Sequence, residues 1–447
     1  MRIPYNQHKE SAFFRYMKKL IHTIAAFLML TTYSIAQNTT NDGKEGWKFG
    51  GALPAIAFNS DEGFRYGILG YVYDYGDGTY YPNFKKSIYT EISRTTGGGG
   101  INNIVYDDTH FLGSNIRLVL DFNYKTEKAL DFYGFNGYQA NYNHDFEDQD
   151  SPNYISSVYY RTDRKMYRAL LSLRGTTGIN NLKWYGGILF CNQKIAAPDI
   201  DKLNKRRSSD EQLPPATEST SLYLDYVSKG YIRSQEANGG TVTMLQGGIV
   251  YDSRDNQSTP SLGTWGEIYL GWAPGTLGTS RAYTMLNASM RQYYSILNKR
   301  LTFTYRISYN TLLGGTMPFY MMPFYYDSRY VADGIGGAKT VRGIRRNRIQ
   351  GNGYIFANIE TRWKFVETKL FAQDIYLALL AYFDTGRVTR EYKTDAPIYQ
   401  KENFHNAAGT GFRIGINNNF IVGIVYGHSF DKQDGDKGVY IDVGWLW

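Results

Sequence analysis

A few short segments carry residue types that could bind phosphate or a metal. Gly336–Thr340 (GGAKT) is similar to a phosphate-binding loop, but Ala338 stands where that pattern has glycine, and no buried strand precedes it. Asp107, Asp108 and His110 could ligate a metal, yet they fall in a predicted turn, where polar residues are common. The remaining histidines lack metal-ligand spacing such as HxxxH. We therefore predict neither a metal site nor a cofactor.

Calcium and nucleophile motifs are also weak. Asp431, Asp434 and Asp436 lack the ligand order of an EF-hand loop and instead predict a polar hairpin tip. The sequence has no Gly-x-Ser-x-Gly nucleophile elbow. His144 and Asp145, in a predicted long loop, give only a slight indication of a hydrolase with a site built from scattered side chains. We predict no catalytic residue and a protein that is not an enzyme.

The composition is typical of a barrel that lies between lipid and water. The 447 residues include 41 Tyr, 24 Phe, 7 Trp and 47 Gly, and the mean hydropathy is −0.44. A packed soluble core favours Leu, Ile, Val and Ala, whereas a membrane barrel combines aromatic girdles with a polar interior. A soluble all-β protein is the alternative.

The N-terminal residues predict a cleaved secretory signal over residues 1–36. Two lysines after Met17, an alternative start, form the charged region, Leu20–Leu30 the apolar region, and Ser34–Ala36 the cleavage site. The apolar run is shorter than the about 20 residues that a membrane-spanning helix needs. We expect residues 37–46 to be a short periplasmic tether and residues 47–447 to be the barrel domain.

The net charge does not indicate a nucleic-acid partner. The formal charge is +8, but residues 1–36 hold five lysines and arginines against one glutamate, so their removal leaves a charge of +4. Such a small charge on a chain of this size gives no steering field for DNA or RNA. We predict no nucleic-acid binding.

Two-residue alternation is the dominant pattern and predicts strands with one apolar and one polar face. In Thr302–Asn310 (TFTYRISYN), aromatic and aliphatic residues alternate with residues such as Arg306. Charges on the second face would not suit a dry sandwich interior but suit a wet lumen. The pattern predicts sixteen strands, an even number as in bacterial barrels. Their ranges are 47–58, 63–75, 85–95, 101–107, 114–126, 165–177, 182–195, 240–252, 263–272, 281–297, 300–313, 353–365, 374–388, 406–417, 420–430 and 437–447.

The predicted connections differ in length between the two ends of the barrel. Alternate connections are short, while the other set contains three long ones, at 127–164, 196–239 and 314–352. Outer-membrane barrels have short periplasmic turns and longer external loops. We therefore expect an all-β, sixteen-stranded antiparallel transmembrane barrel with both chain ends in the periplasm.

Several motifs occur in the order found in one family of barrels. They are the triplet Val341, Arg342 and Gly343; the segment Phe383, Asp384, Thr385 and Gly386; the turn Asp252–Asn256 (DSRDN); and Phe132–Phe135 (FYGF). This set resembles the BamA/TamA superfamily of outer-membrane assembly and translocation barrels, also called the bacterial surface antigen family, over roughly residues 46–447. The resemblance implies a lid loop that folds into the lumen and an arginine that pairs with acidic residues of the inner wall.

Strand parity independently indicates which acidic residues could be partners. In Asp374–Asp384 (DIYLALLAYFD) the apolar residues share one parity, so Asp384 has the opposite parity and points inward. Glu360 is inward on its own strand by the same test. A guanidinium can donate to both carboxylates. We predict that Arg342 pairs with Asp384, with Glu360 or with both; the alternative is that it belongs to a solvated basic loop.

The sequence departs from the family in two respects. Ile344 follows the Val-Arg-Gly triplet, where the family usually has an aromatic residue. We also expect no periplasmic POTRA repeats, which feed clients to the barrel in that family, because only residues 37–46 lie between the predicted signal and the first predicted strand. This second difference predicts either a separate periplasmic partner or a different kind of pore.

The last predicted strand ends with alternating apolar residues. Val439, Ile441, Val443, Trp445 and Trp447 share one parity, which would place them on one face of the strand. A terminal aromatic after such a pattern resembles the signal by which outer-membrane barrels are recognised for assembly. An ordinary edge strand that ends at the lipid interface is the alternative.

The leading hypothesis is a barrel that assists protein insertion or translocation at the outer membrane, with first and last strands that can part. Its expected partners are outer-membrane lipids, client proteins, and periplasmic chaperones or assembly lipoproteins. A passive pore or a structural surface barrel is the alternative from a different class, and an outer-membrane hydrolase is the third.

Overall fold

The computed structural model of the protein describes residues 45–59, 63–80, 84–205, 207–209, 212–257, 259–370, 373–416 and 420–447. The chain forms two compact units: Met1–Phe49 with Tyr73–Lys85, and Gly50–Val72 with Lys86–Trp447. In the smaller unit, the amide of Gly46 donates to the carbonyl of Gly76 at 2.8 Å. The predicted signal, residues 1–36, and most of the predicted tether lie outside the described residues.

The described residues form antiparallel strands and a few short helices. The strands are β1 (Trp47–Pro54), β2 (Ala57–Asn59), β3 (Gly63–Asp74), β4 (Lys86–Thr95), β5 (Gly100–Asp108), β6 (Ile116–Asp131), β7 (Arg161–Thr176), β8 (Leu182–Ala196), β9 (Gly239–Asp252), β10 (Gly263–Ala273), β11 (Tyr283–Ile296), β12 (Leu301–Gly315), β13 (Phe324–Tyr326), β14 (Val331–Asp333), β15 (Gly353–Leu370), β16 (Gln373–Arg390), β17 (His405–Ile416), β18 (Phe420–Ser429) and β19 (Lys437–Val443). Two helices, α1 (Ile200–Asn204) and α2 (Leu222–Ser228), lie between β8 and β9.

The larger unit is a closed barrel in which each strand pairs with its neighbours along the chain. β1 and β2 are two segments of the first barrel strand, interrupted at Ala55 and Ile56, and the ring closes where β19 pairs with β2. β13 and β14 form a separate hairpin that is not one of the strands of the ring. Among the described residues the ring therefore has sixteen strands, and the predicted architecture is confirmed.

Side chains alternate between the lumen and the outer surface, as the sequence pattern predicts. On β12, Thr304, Arg306 and Ser308 are buried, whereas Phe303 and Ile307 are exposed. A barrel leaves no open sheet edge in the hydrocarbon region, so its backbone hydrogen bonds are satisfied between strands. The exposed apolar residues are the ones that would face lipid, and the buried polar residues line the lumen.

Some strands are longer than predicted. β6 continues to Asp131 and β7 begins at Arg161, and these two paired residues form an ion pair. The register shifts between Glu127 and Leu130, so a β-bulge lies within this extension. The alternation is lost at a bulge, which explains why the sequence pattern ends at residue 126.

The two ends of the barrel differ as expected. Connections after β5, β7, β9, β11, β15 and β17 are short, and we call this end the short-connection end. The three long connections, residues 132–160, 197–238 and 316–352, all leave the opposite, long-connection end. No helix in the described part of the chain is long and apolar enough to cross a membrane.

Candidate functional site: a loop bound to the inner wall of the barrel

Residues 316–352, between β12 and β15, turn back into the barrel, and we call this segment the lid loop. It contains the β13–β14 hairpin. Ile335, Val341 and Ile349 of the lid loop are each 0% exposed. Its polar groups contact lumen-facing residues on many strands around the ring, from β6 to β19, so the loop lies inside the barrel.

Arg342 of the lid loop binds two acidic residues of the inner wall. Its Nε lies 2.8 Å from Oδ2 of Asp384, its Nη2 3.0 Å from Oδ1 of Asp384, and its Nη1 2.6 Å from Oε2 of Glu360. The backbone amide of Arg342 also donates to Asp384 at 3.0 Å. The guanidinium lies 3.5 Å from the centre of the Tyr382 ring, where the cation meets the negative face of the ring. The structure thus brings together the three charged residues that the sequence indicates.

Strand register places the two carboxylates side by side. Asp384 on β16 is paired with Asn358 on β15, and the next lumen-facing pair is Glu360 with Tyr382. Glu360 also accepts from Nε of Arg362 at 2.6 Å. Glu360, Asp384 and Arg342 are at most 2% exposed. Breaking a buried ion pair from one side costs about 3–5 kcal/mol, because the remaining charge stays buried.

The residues on either side of Arg342 fit close contacts with the barrel wall. Gly343 has φ +93°, a left-handed conformation that favours glycine, and a Cβ there would lie 3.0 Å from the amide nitrogen of His428. The amide of Gly343 donates to the hydroxyl of Tyr440 on β19 at 3.0 Å. Val341 faces Gly386, where a Cβ would lie 3.3 Å from Cγ2 of Val341. Glycines at 343 and 386 therefore allow the loop to lie against the sheet.

Phe383 of the strand motif and Ile344, which follows the Val-Arg-Gly triplet, do not take part in the ion pairs of Arg342. Phe383 is 38% exposed on the outer face of β16, and its ring centre lies 6.2 Å from that of Phe430. Ile344, where the family usually has an aromatic residue, is buried in an apolar cluster with Val341 and Phe356. An aliphatic residue fills this position inside the lumen.

The sequence did not identify other anchors of the lid loop. Arg291 on β11 forms an ion pair with Asp327 near the turn of the β13–β14 hairpin, and both are fully buried. Arg346 forms an ion pair with Glu127 on β6 at 2.6 Å. Arg306 on β12 donates to the carbonyl of Lys339 at 3.0 Å. Inward parity could have identified Arg291, Arg306 and Glu127 as lumen residues, but not their partners.

A buried polar cluster joins the lid loop to two other connections at the long-connection end and to the start of β17. Asp434 accepts from the hydroxyl of Tyr138 at 2.6 Å and lies 2.5 Å from Nδ1 of His405. The Tyr138 ring stacks on His405 with centres 3.8 Å apart. Nε of Arg348 lies 3.6 Å from Asp434. Asp434 lies in the predicted polar hairpin tip between β18 and β19, but it is buried because loops from other strands cover it.

The predicted motif turn Asp252–Asn256 is a compact turn at the short-connection end. Arg254 donates from Nε to Oδ1 of Asp252 at 2.8 Å. Oδ1 of Asp255 accepts from the amides of Ser261 and Leu262 at 2.9 and 3.0 Å. Burial would raise the pKa of Asp255, but hydrogen bonds from Ser261, Leu262 and Lys299 outweigh it and lower the pKa.

The C-terminal residues do not continue the outward face of the last strand. β19 ends at Val443, and Gly444 has φ +86°, which turns the chain into the lumen. There Nε1 of Trp447 donates to Oγ1 of Thr304 at 3.1 Å, and the guanidinium of Arg362 lies 4.4 Å from the centre of Trp445. The prediction that Trp445 and Trp447 continue one face of the last strand is wrong, because the strand ends at Val443 and the chain turns at Gly444. A role of Val443, Trp445 and Trp447 as an assembly signal stays a prediction.

The seam between β19 and the first strand is short. Among the described residues, β19 and β2 pair at Tyr440 with Asn59 and at Ile441 with Phe58. β18 and β19 pair from Val422 to His428 on the other side of β19. The inward turn at Gly444 removes the residues that would otherwise extend the seam.

Comparison with known proteins gives one family and a group of similar folds. A sequence profile described as the Omp85 superfamily domain matches residues 86–445. No curated protein sequence matches the chain significantly.

Two solved structures illustrate the likeness of fold. One is BamA from Haemophilus ducreyi lacking POTRA domains 1–3, with 14% identity and a TM-score of 0.51 over 90% of this chain and 70% of that one. The other is CdiB from Escherichia coli, with 9% identity and a TM-score of 0.52 over 88% of this chain and 62% of that one. At this identity the likeness concerns the fold alone.

Proposed function

The chain belongs to the Omp85 superfamily of outer-membrane protein insertion and translocation barrels, and we propose that its β19–β2 seam opens to pass or insert a client polypeptide while the lid loop controls the opening. The observation that carries this proposal is that one loop contacts both the wall formed by β15 and β16 and the seam strand β19. The lid loop binds β15 and β16 through Arg342 and binds β19 through the amide of Gly343.

The energetics of the seam favour opening there. Each backbone hydrogen bond contributes about 0.5–1.5 kcal/mol net, so a seam with few pairs separates at a small cost. β15 and β16, by contrast, pair from Gly353 with Arg390 to Leu370 with Gln373, along the whole height of the barrel. Separating β15 from β16 would therefore cost several times more free energy than opening the β19–β2 seam.

A passive pore is less well supported. The lid loop lies in the lumen, and the cluster around Asp434 joins it to the connections after β6, β16 and β18. An open diffusion channel needs a continuous aqueous path, which the packing of these residues narrows. We also propose that the chain has no catalytic site, in line with a family of insertion and translocation transporters.

The proposed orientation places the short-connection end in the periplasm, with residues 1–36 as the export signal. Outer-membrane lipids surround the apolar outer surface, and client proteins approach from the short-connection end. We propose that periplasmic chaperones or assembly lipoproteins deliver these clients.

Depletion of the protein tests the proposal. We expect a subset of outer-membrane or surface proteins to decrease when the outer-membrane proteome is quantified, and to recover on re-expression. An Arg342→Ala variant that restores every one of these proteins to the wild-type level would remove the lid loop from the mechanism. An unchanged proteome on depletion would refute the function itself.

A further inference from the structure

Cationic side chains line the lumen between the turn of the β13–β14 hairpin and the short-connection end. Arg117 on β6 and Arg174 on β7 are direct cross-strand partners and therefore lie on the same face. Arg174 also lies opposite Tyr185, which is buried in the lumen, and Lys183 is the next residue of β8 on that face. Like charges that face each other destabilise a sheet unless anions compensate them.

Resident carboxylates compensate only some of these cations. Asp107 binds Arg117, with Nε 2.8 Å from Oδ1. Asp252 binds Arg254 in the same way, also at 2.8 Å. In the part of the chain that the structure describes, no carboxylate lies within 4 Å of a side-chain nitrogen of Arg174 or Lys183. The surplus charge of this wall therefore lies on Arg174 and Lys183.

Arg174 has the properties of a binding residue that awaits an anion. It is 7% exposed, and its buried Nε has no hydrogen-bond partner among the described residues. A buried charged donor without an acceptor is costly, since its desolvation is not offset. A buried arginine of this kind is tolerated more readily where a bound anion accepts its hydrogen bonds.

The contacts of the lid loop show which chemical groups bind to this wall. Oγ of Ser172, two residues before Arg174 on β7, donates to the carbonyl of Ser328 at the turn of the hairpin at 3.1 Å. The adjacent Asp327 presents its carboxylate to Arg291 of the wall. The lid loop thus supplies a carboxylate at one level of the wall, and Arg174 and Lys183 lie below it, toward the short-connection end.

We propose that Arg174 and Lys183 bind carboxylates of an acidic, extended segment of the client polypeptide. Thr176 is paired with Lys183 and Arg174 with Tyr185, so Arg174 and Lys183 are diagonal neighbours. Diagonal neighbours in a sheet lie about 7–8 Å apart, close to the about 6.6 Å between alternate residues of an extended chain. Two acidic side chains separated by one residue match this spacing. The inference rests on the proposed function, since it names the chemistry of the client segment.

Peptide binding to the purified barrel in neutral detergent tests the site without any insertion assay. The probe is a fluorescein-labelled peptide with aspartate alternating with serine, compared with its asparagine isostere by fluorescence anisotropy. We expect the acidic peptide to bind about tenfold more tightly at low salt, and the difference to shrink as salt rises. Equal binding of the two peptides would overturn the proposal.

Matched variants locate the binding. Arg174→Gln and Lys183→Gln should each weaken binding of the acidic peptide about five- to tenfold. Lys299→Gln, which removes the same charge from an exposed turn at the same end, should leave it unchanged. Retention of the heat-resistant folded form on gels checks that each variant is folded. If Arg174→Gln binds like Lys299→Gln, the site is not there.

Two competitors identify the source of the anion. Inorganic phosphate, at matched ionic strength, and micelles that contain phosphatidylglycerol should displace the acidic peptide no better than chloride or neutral micelles. Stronger displacement by either would assign the site to free phosphate or to a lipid headgroup and overturn the peptide assignment. Peptide binding with an unchanged proteome on depletion would refute the proposed function alone, whereas a changed proteome without peptide binding would refute this inference alone.

Discussion

Arg342 contacts both carboxylate oxygens of Asp384, with Nε 2.8 Å from Oδ2 and Nη2 3.0 Å from Oδ1. The two residues are 42 positions apart in the chain and both are buried. Two parallel N–H···O bonds fix direction as well as distance, which a lysine could not do. The pair therefore sets where the lid loop lies on the wall formed by β15 and β16.

Arg342→Ala should destabilise the barrel by about 3–5 kcal/mol, because Asp384 loses its partner inside the lumen. The measurement is urea unfolding in lipid vesicles, together with protease protection of the lid loop. Lys339→Ala is the control, since Lys339 is an exposed residue of the same loop, and such changes usually stay within about 0.5 kcal/mol. A stability of Arg342→Ala equal to that of Lys339→Ala would show that the pair has no structural role.

Glu360→Gln should cost at least as much as Arg342→Ala, about 3–5 kcal/mol. Glu360 bridges Arg342 and Arg362, so its neutralisation leaves two buried guanidinium groups without this charge. Glu367→Gln on the same strand is the matched control, because its pair with Arg300 is exposed and is worth about 0–1 kcal/mol. Urea unfolding measures both, and equal losses would contradict the prediction.

Gly343→Ala should destabilise the lid loop for two reasons that one control separates. The left-handed backbone costs a residue with a side chain about 1–2 kcal/mol, and the new Cβ would press on the backbone at His428. Gly230 also has positive φ, but a Cβ there would meet nothing within 4 Å. Gly230→Ala should therefore show only the backbone cost, and protease protection of the lid loop should fall only in Gly343→Ala. Equal behaviour of the two variants would rule out the close contact.

A disulfide across the seam should block the proposed function reversibly. Phe58 and Ile441 are paired, and paired Cα atoms in antiparallel strands are about 4.5–5.5 Å apart, within the range of disulfides. In a Cys191→Ala background, oxidised Phe58→Cys/Ile441→Cys should fail to restore the client proteins, and reduction should rescue it. The pair Ile414→Cys/Val422→Cys, across β17 and β18, should remain active in both states. Full activity of the locked seam would exclude opening there.

Trp447→Ala should destabilise the folded barrel by about 3–5 kcal/mol, the usual cost of removing a buried tryptophan. The loss includes the hydrogen bond to Thr304 and the stacking of Arg306, 4.8 Å from the ring centre. Trp447→Phe keeps a terminal aromatic residue, so it should lose stability but still assemble at the normal rate in cells. If Trp447→Phe assembles as slowly as Trp447→Ala, a terminal aromatic is not the assembly signal.

The strands were predictable because alternation is a local property. On β12, the parity of each residue indicates whether its side chain faces the lumen or the outer surface. Arg306 has inward parity in the sequence and is buried in the lumen. The partners of Arg342 were predictable for the same reason, since parity reduced the candidates to inward carboxylates on strands near the motif. The resemblance then supplied the loop that carries the arginine.

The contacts between loops were not predictable from parity. Asp434 lies in a short polar connection, and its burial depends on Tyr138 and His405, which come from distant parts of the chain. Nothing in the local sequence distinguishes Gly444 from the other glycines as the residue at which the chain turns after the last strand. In both cases tertiary packing selects one of several conformations that the local sequence allows.

Ion pairs hold the lid loop to the barrel wall at three separate places. They join the loop to Glu127, to Asp384 with Glu360, and, through its own Asp327, to Arg291. Loss of one of these contacts loosens the loop locally, while the others hold the rest of it in place. Release should therefore be cooperative, with little change until a threshold is passed and then a nearly all-or-none transition. A barrel built in this way would respond to a client as a switch and not in proportion to its concentration.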